Sequence, residues 1–306
     1  GRWAVYIRTL KGLETRIAAI RRSLEDRVPV LLTDWDEDDL AARAAGLKYG
    51  VCDFDGTLHV DNQWRAMDRH LPPEMVAKDN TVYAAYRAFR LAPKDGADIH
   101  ACGPQSTAHL AAWETQWIER GMRTYRDGGL TEADLMDAGI SLVPRDGAGD
   151  LLDLFFHRAV ISMGIEPVIR AFLDAHGFST PKRPVWVGAS RVEFDPEGRI
   201  LGCALNAFPA ALKREVRDWF LRNVARWDGN PDAVFALGDS AGDLELMERG
   251  RGLNAFVMPF PARDAHTEGY RDEHLADIVE IADVVSVGDS LQPLADFIRA
   301  SKTAAS

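Results

Sequence analysis

The hydrophobic pattern changes period along this chain, and the changes mark out the elements. Short, nearly unbroken apolar runs stand at residues 28–32, 47–52 and 233–237, and a short β-branched segment at 157–162 ends in a hydroxyl. Runs of this kind suit strands buried on both faces, as in a parallel sheet. Between and after them apolar residues return at helical spacing, as in Ile165, Val168, Ile169, Phe172 and Leu173, or Val216, Trp219, Phe220 and Val224. From residue 151 the two rhythms alternate to the end, which predicts a right-handed, mostly parallel sheet. Residues 61–150 carry helical pattern only, in 82–89, in 110–118 and in a helix capped by Thr131, with a loop from Pro93 to Pro104. Residues 1–47 read as an extension packed on the core. It holds a short apolar segment (Trp3, Val5, Ile7), a helix along Leu13, Ile17, Ile20 and Leu24, and a strand and helix ending near Ala45.

Chemistry gathers where strands end. The run at 47–52 stops at Asp53-Phe54-Asp55-Gly56-Thr57. Two acids inside a strand would repel on one face, whereas at its carboxyl end they reach the crevice where open α/β sheets bind ligands. Gly56 permits a sharp turn and Thr57 offers a hydroxyl and an N–H beside it. A second Asp-x-Asp, Asp34-Trp35-Asp36, is followed by acids and no glycine, so Thr33 or Asp34 reads there as a helix cap. The segment 157–162 predicts a strand ending at Ser162, with Met163 and Gly164 leading into a helix. Ser162 and the first N–H groups of that helix make either an anion site or a plain cap. Lys213 opens the next helical pattern at the end where the macrodipole disfavours a cation, which asks for an anionic partner. Gly238-Asp239-Ser240-Ala241-Gly242-Asp243 follows a strand and places two more acids four residues apart. One direct and one outer role around Mg²⁺ would suit them. The later Gly-Asp-Ser at 288–290 lacks the second acid and reads as a helix start.

In this order the four pieces resemble the haloacid dehalogenase superfamily over roughly residues 48 to 300. The branch holding phosphoserine phosphatase and the cytosolic pyrimidine 5′-nucleotidases resembles the chain further, through Ser162-Met163-Gly164-Ile165, the hairpin-like stretch 189–202 and the segment 129–135 after a Trp-rich helix. The resemblance implies an α/β fold: a Rossmann-like, doubly wound, mostly parallel core (48–60 and 151–306) with an inserted helical cap of C1 type (61–150). It further implies a Mg²⁺-dependent phosphomonoester hydrolase acting through an aspartyl-phosphate. Asp53 would be the nucleophile and Asp55 the general acid and base. Lys213, Thr57, Ser162, Met163 and Gly164 would hold the phosphate. The metal would lie on Asp53, the Asp55 carbonyl and Asp239, with Asp243 behind. Asp55 argues against a dehalogenase, since a departing halide needs no proton. A phosphotransferase or mutase, or a non-catalytic phosphate-binding module, remain the alternatives.

Substrate choice is expected in the cap, although 60–128 is unfamiliar for the branch and shows no base-recognition motif. His59, Asn62 and Trp64 follow the first motif and would lie over the crevice. Trp113 and Trp117 share one helical face, either as core between cap helices or with one ring stacked on a planar leaving group and Glu114 accepting from it. The substrate class implied is a small phosphorylated metabolite, with nucleoside 5′-monophosphates among the candidates. Composition narrows the partners. With a net charge of −11 and a pI near 5.2, nucleic-acid polymers and anionic membranes are poor partners. Cys52, Cys102 and Cys203 are scattered and odd in number, so neither a disulfide framework nor a zinc site is expected. No run reaches transmembrane length and the first residues do not resemble a secretory signal, so a cytoplasmic setting is expected. Oligomeric state is left open.

Overall fold

Eight strands run through the described residues, and their order explains where the acids meet. The computed structural model describes residues 30–90, 104–204, 208–258 and 275–305. The apolar segment and helix expected before residue 25, Cys102 and nearly all of the 93–104 loop lie outside the described residues. The strands are β1 (Val30–Leu32), β2 (Tyr49–Cys52), β3 (His157–Ile165), β4 (Trp186–Phe194), β5 (Ile200–Ala204), β6 (Val234–Gly238), β7 (Leu253–Met258) and β8 (Val284–Val287). They form one sheet in the order β1-β8-β7-β6-β2-β3-β4-β5. From β8 to β4 every neighbour is parallel, and only the edge strands β1 and β5 run antiparallel. The chain runs outward from β2 through β3 and β4, then crosses back to place β6 on the other side of β2. That reversal is a topological switch point, and ligands bind outside the carboxyl ends of strands there.

Alternate side chains of the central strands enter two core halves, as pleating requires. Cys52, Val160, Leu237 and Ala255 fall in one buried cluster. Val51, Ala159, Ile161, Ala236 and Phe256 fall in the other. The first half is covered by α1 (Glu37–Ala45), α5 (Glu132–Ser141), α6 (Ala148–Leu152), α7 (Glu166–Ala175) and α10 (Gln292–Ala304). The second lies under α8 (Lys213–Asn223) and α9 (Leu275–Ile281). The remaining helices, α2 (Gln63–Asp68), α3 (Pro73–Arg90) and α4 (Pro104–Asp127), stand between β2 and these layers in sequence.

Two boundaries differ from the sequence reading. Leu135, Ala138 and Leu142 bury into the same cluster as Val168, Ile169 and Phe172 of α7, and His176 Nε2 pairs with the Leu142 carbonyl. Residues 132–152 therefore sit on the sheet layer, although the pattern counted 61–150 as one helical insertion. The cap of α1 is Asp36, whose carboxylate accepts from the Asp38 N–H at 3.0 Å, rather than Thr33 or Asp34. Thr33 is engaged elsewhere. Its hydroxyl donates to the Asp283 carbonyl, and Trp35 Nε1 donates to the Asp283 carboxylate, which fixes β1 and α1 to the sheet edge. The stretch at 189–202 forms the β4–β5 hairpin as expected. No described helix is long and apolar enough to cross a membrane.

Candidate active site

The backbone N–H of Asp53 donates to the Leu237 carbonyl at 2.9 Å, which carries the sheet ladder one residue past β2. The nucleophile candidate thus stands on a rigid strand end. The chain then turns through Gly56, whose φ of 70° lies in the left-handed region that suits glycine. The N–H groups of Thr57 and Leu58 close the turn on the Phe54 carbonyl. The Thr57 hydroxyl is fully buried and donates to Asp53 Oδ2 at 3.3 Å. Beneath the turn lies a buried guanidinium. Arg145 donates from Nε to the Thr57 carbonyl at 3.0 Å and from Nη2 to the Gly56 carbonyl at 2.6 Å. Its Nη1 reaches the Gly288 carbonyl, which joins the second Gly-Asp-Ser to the base of this turn. That segment also starts a helix as expected, with Ser290 Oγ accepting from the Gln292 N–H.

Lys213 opens α8 and points inward. Its ammonium donates to Asp53 Oδ1 at 2.7 Å and to Asp243 Oδ1 at 2.6 Å, and the side chain is only 4% exposed. Asp243 uses its other oxygen on the backbone, accepting from the N–H groups of Asp239 at 2.9 Å and Ser240 at 3.1 Å. This reciprocal capping shapes a short 3₁₀ helix at Ala241–Leu246. Asp53, Asp239 and Asp243 are all buried, with oxygens within 4.8 Å of one another. Burial, then the neighbouring Asp243 charge, push the Asp53 carboxyl well above its usual range, although Lys213 opposes them. Burial works to lower the Lys213 ammonium, but Asp243 and Asp53 outweigh it and hold it above its ordinary value. Three carboxylates against one ammonium leave excess negative charge in a desolvated pocket, and the donors are all oxygen. Such a set fits a hard divalent cation better than zinc. Cys52, buried in one core half, faces away from this cluster.

Asp55 turns away from the acidic cluster. Its Oδ1 accepts from the Gln63 N–H at 2.7 Å and from His59 Nε2 at 2.9 Å, and its Oδ2 from Gln63 Nε2 at 2.6 Å. His59 Nδ1 accepts from the Asp61 N–H, so Nε2 carries the ring proton and donates to Asp55. Ser162 does not end its strand. β3 continues to Ile165 with a register shift after Ile161, and Ile165 occupies the cap position of α7 without a side-chain bond. The Ser162 hydroxyl accepts from the Gly164 N–H at 3.0 Å, so the plain helix-cap reading of Ser162 is replaced by a bulge within the strand. Met163 is half-buried against the core beside it.

The substrate candidates separate. His59 is fully buried and serves Asp55, so it does not lie over the crevice. Asn62 caps α2 by accepting from the Trp64 N–H. Trp64 lies against Trp117 and is stacked on Tyr125, with ring centroids 5.2 and 6.2 Å apart. Trp117 is buried, so the core reading holds for it. The Trp113 side chain lies outside the described residues. Glu114 is buried, and its carboxylate accepts from the Ala210 N–H at 2.8 Å. It thereby ties α4 to the turn that leads into Lys213.

No protein-family model matches the chain, and no curated protein does. Solved structures do. A cytosolic 5′-nucleotidase IIIB bound to cytidine superposes with a TM-score of 0.59 at 14% identity, over 88% of this chain and 91% of that one. A substrate-bound phosphoserine phosphatase gives 0.53 at 16%, over 82% and 98%. A phosphoserine phosphohydrolase-like protein from Francisella tularensis gives 0.52 at 14%, over 82% and 100%. The chain has the haloacid dehalogenase-like fold. On that fold, the ends of β2 and β6 bring Asp53 and Asp239 together, and the parallel register that pairs Cys52 with Val160 sets Ser162, within β3, on the neighbouring strand. Two buried residues at this edge, Gln63 and Arg145, carry no signal in the sequence. Gln63 is an unremarked polar residue at a helix start, and Arg145 lies 88 residues from the turn it holds.

Proposed function

We propose that this chain is a Mg²⁺-dependent phosphomonoester hydrolase acting on a small phosphorylated metabolite. The observation that carries the reading is the Lys213 ammonium set between Asp53 Oδ1 and Asp243 Oδ1, with Asp239 in the same buried cluster. A structural ion pair needs one carboxylate. Two on one lysine with a third beside them, at a switch point of the sheet, form a site prepared for added positive charge and a phosphate.

Asp53 is held by the ladder, by Thr57 and by Lys213, so one oxygen can be aimed at phosphorus. Its attack forms the bond from carboxylate oxygen to phosphorus and breaks the bond from phosphorus to the ester oxygen. The leaving alkoxide takes a proton from Asp55, once that side chain has turned from His59 and Gln63 toward the crevice. Asp55 then takes a proton from water as the water attacks the aspartyl-phosphate, which releases inorganic phosphate and restores Asp53. Lys213 and the Ser162 hydroxyl would stabilise the oxygens of the transferring group. Asp53 and Asp239 would hold the cation directly, with Asp243 orienting the backbone behind them. The cation would supply neutralisation of the charge between nucleophile and phosphate. A phosphoserine phosphatase and a 5′-nucleotidase share the fold, which supports including phosphoamino acids and nucleoside 5′-monophosphates among the substrates.

The test is a panel of phosphate monoesters assayed for phosphate release with Mg²⁺. Turnover of at least one ester by the wild type, lost in Asp53→Asn, is expected. No release from any ester, aryl phosphates included, would overturn the reading and favour a binding module.

A further inference from the structure

Gln63 joins two parts of the site that the chain keeps far apart. It is fully buried although it opens a short helix next to solvent-facing residues. Its amide reads both ways. Nε2 donates to Asp55 Oδ2 at 2.6 Å, while Oε1 accepts from the Ile165 N–H at 2.7 Å, 102 residues along the chain. Its own backbone N–H holds the other Asp55 oxygen. A carboxylate demands the NH₂ end and a peptide N–H demands the carbonyl end, so only one amide orientation satisfies both partners. The amide also fills the space where residue 164 would carry a Cβ. A side chain there would overlap Gln63 Nε2, so Gly164 is required by the bridge itself.

We propose that Gln63 is a positioning residue that couples the acid–base carboxylate of Asp55 to the backbone of the Gly164–Ile165 segment. The proposal rests on the hydrolase reading for its chemistry but not for its geometry. Through the bridge, the direction of Asp55 and the path of the backbone at Ile165 are set together. When Asp55 turns to serve the leaving group, the same amide can release or follow it, and the Gly164–Ile165 backbone registers the change. His59 holds only Asp55 Oδ1 and reaches nothing on β3 among the described hydrogen bonds.

Two measurements test this. The first is steady-state kinetics of Gln63→Met, which keeps the length and removes both hydrogen bonds. For an alkyl phosphate, kcat should fall about 10- to 100-fold with KM nearly unchanged, because positioning of the proton donor is lost. For an aryl phosphate with a good leaving group, the loss should be only about 3-fold or less, since that group needs little protonation. A loss equal for both esters, or no loss, would overturn the positioning role, because a purely structural defect does not sort leaving groups. The second is the melting temperature of a size swap. Gly164→Ala should lower Tm, and adding Gln63→Ala should raise it again while the alkyl phosphate remains poorly turned over. Additive decreases in Tm would overturn the bridge. Wild-type inactivity on every ester would overturn the hydrolase reading, and the Tm pair would still decide the bridge.

Discussion

Removing the charge of Asp53 should stabilise the metal-free protein while ending its turnover. Asp53→Asn keeps an oxygen for Lys213 and presents an NH₂ to Thr57, whose hydroxyl can accept, so no hydrogen bond need be lost. What changes is charge. At an effective dielectric of about 20, like charges within 4.8 Å of one another repel by at least about 3.5 kcal/mol, so Asp239 and Asp243 together destabilise an ionised Asp53 by about 7 or more. The ammonium of Lys213 at 2.7 Å offsets about 6 kcal/mol of that. Desolvation of a carboxylate that is 8% exposed adds to the unfavourable side. The balance favours the neutral side chain by about 1–3 kcal/mol, a rise in Tm of about 2–8 °C for a chain of this size. The pH dependence has a definite sign. Burial and Asp243 raise the folded-state pKa of Asp53 above its ordinary 3.8. Its contribution to stability is therefore full below 3.8 and is lost as pH rises through the higher folded value. The wild type in EDTA should gain stability relative to the variant as pH falls from neutral, and the gap should narrow when Mg²⁺ is added. Differential scanning calorimetry of both proteins, with EDTA and with Mg²⁺, measures all of this. An Asn variant that melts below the wild type in EDTA at neutral pH would refute the charge argument.

Three further outcomes are expected. Mg²⁺ at about 100 times its Kd should stabilise the wild type by about 2.7 kcal/mol, and Asp239→Asn should abolish most of that shift in calorimetry. Asp55→Asn should lower kcat steeply for alkyl phosphates and less for esters with acidic leaving groups, and a series of leaving-group pKa values would show the slope. Arg145→Met should lose at least about 2–4 kcal/mol in urea unfolding, because the carbonyls of Gly56 and Thr57 are left buried without their charged donor. A loss under about 0.5 kcal/mol would show that the turn holds its own shape.

What was legible in the sequence was local. Asp53, Lys213, Asp239 and Asp243 each stand at a strand end or helix start, and the change of hydrophobic period marks those points without any tertiary information. The mostly parallel sheet followed from the alternation of strand and helix, while the reversal of strand order at β2 became visible only in the structure. The failures share one cause, which is that a distant partner decided the local conformation. β3 runs on to Ile165 because Gln63 accepts the Ile165 N–H, so a pattern that ends in Ser-Met-Gly cannot show it. His59 looked like a residue over the crevice, yet Asp55 captures it four residues back and the core closes over it. Thr33 looked like a cap, but Asp283 claims its hydroxyl from 250 residues away. The segment 132–152 joined the helical insertion by periodicity, and its packing against α7 became visible only in three dimensions.

The two buried networks at the strand ends obey different rules, and the contrast bears on what the site is for. The polar network around Asp55 is closed. Each Asp55 oxygen meets an N–H donor, and each end of the Gln63 amide meets its complement, as a network that fixes conformation should. The acidic cluster does not balance in charge. Lys213 is shared by two carboxylates, Asp243 already spends one oxygen on the backbone of Asp239 and Ser240, and Asp239 adds a third negative charge. A buried ion pair is weak evidence for stability even when complete, and a pair with surplus acid is unfavourable to folding. Repulsion of this kind persists where the surrounding fold over-determines it and where a ligand of opposite charge relieves it. Gly56 and the Arg145 guanidinium beneath it, the ladder bond of Asp53 and the capping of Asp243 supply that over-determination. Positive charge brought from outside would supply the relief, which is why the imbalance belongs to a binding and reacting centre and not to the core.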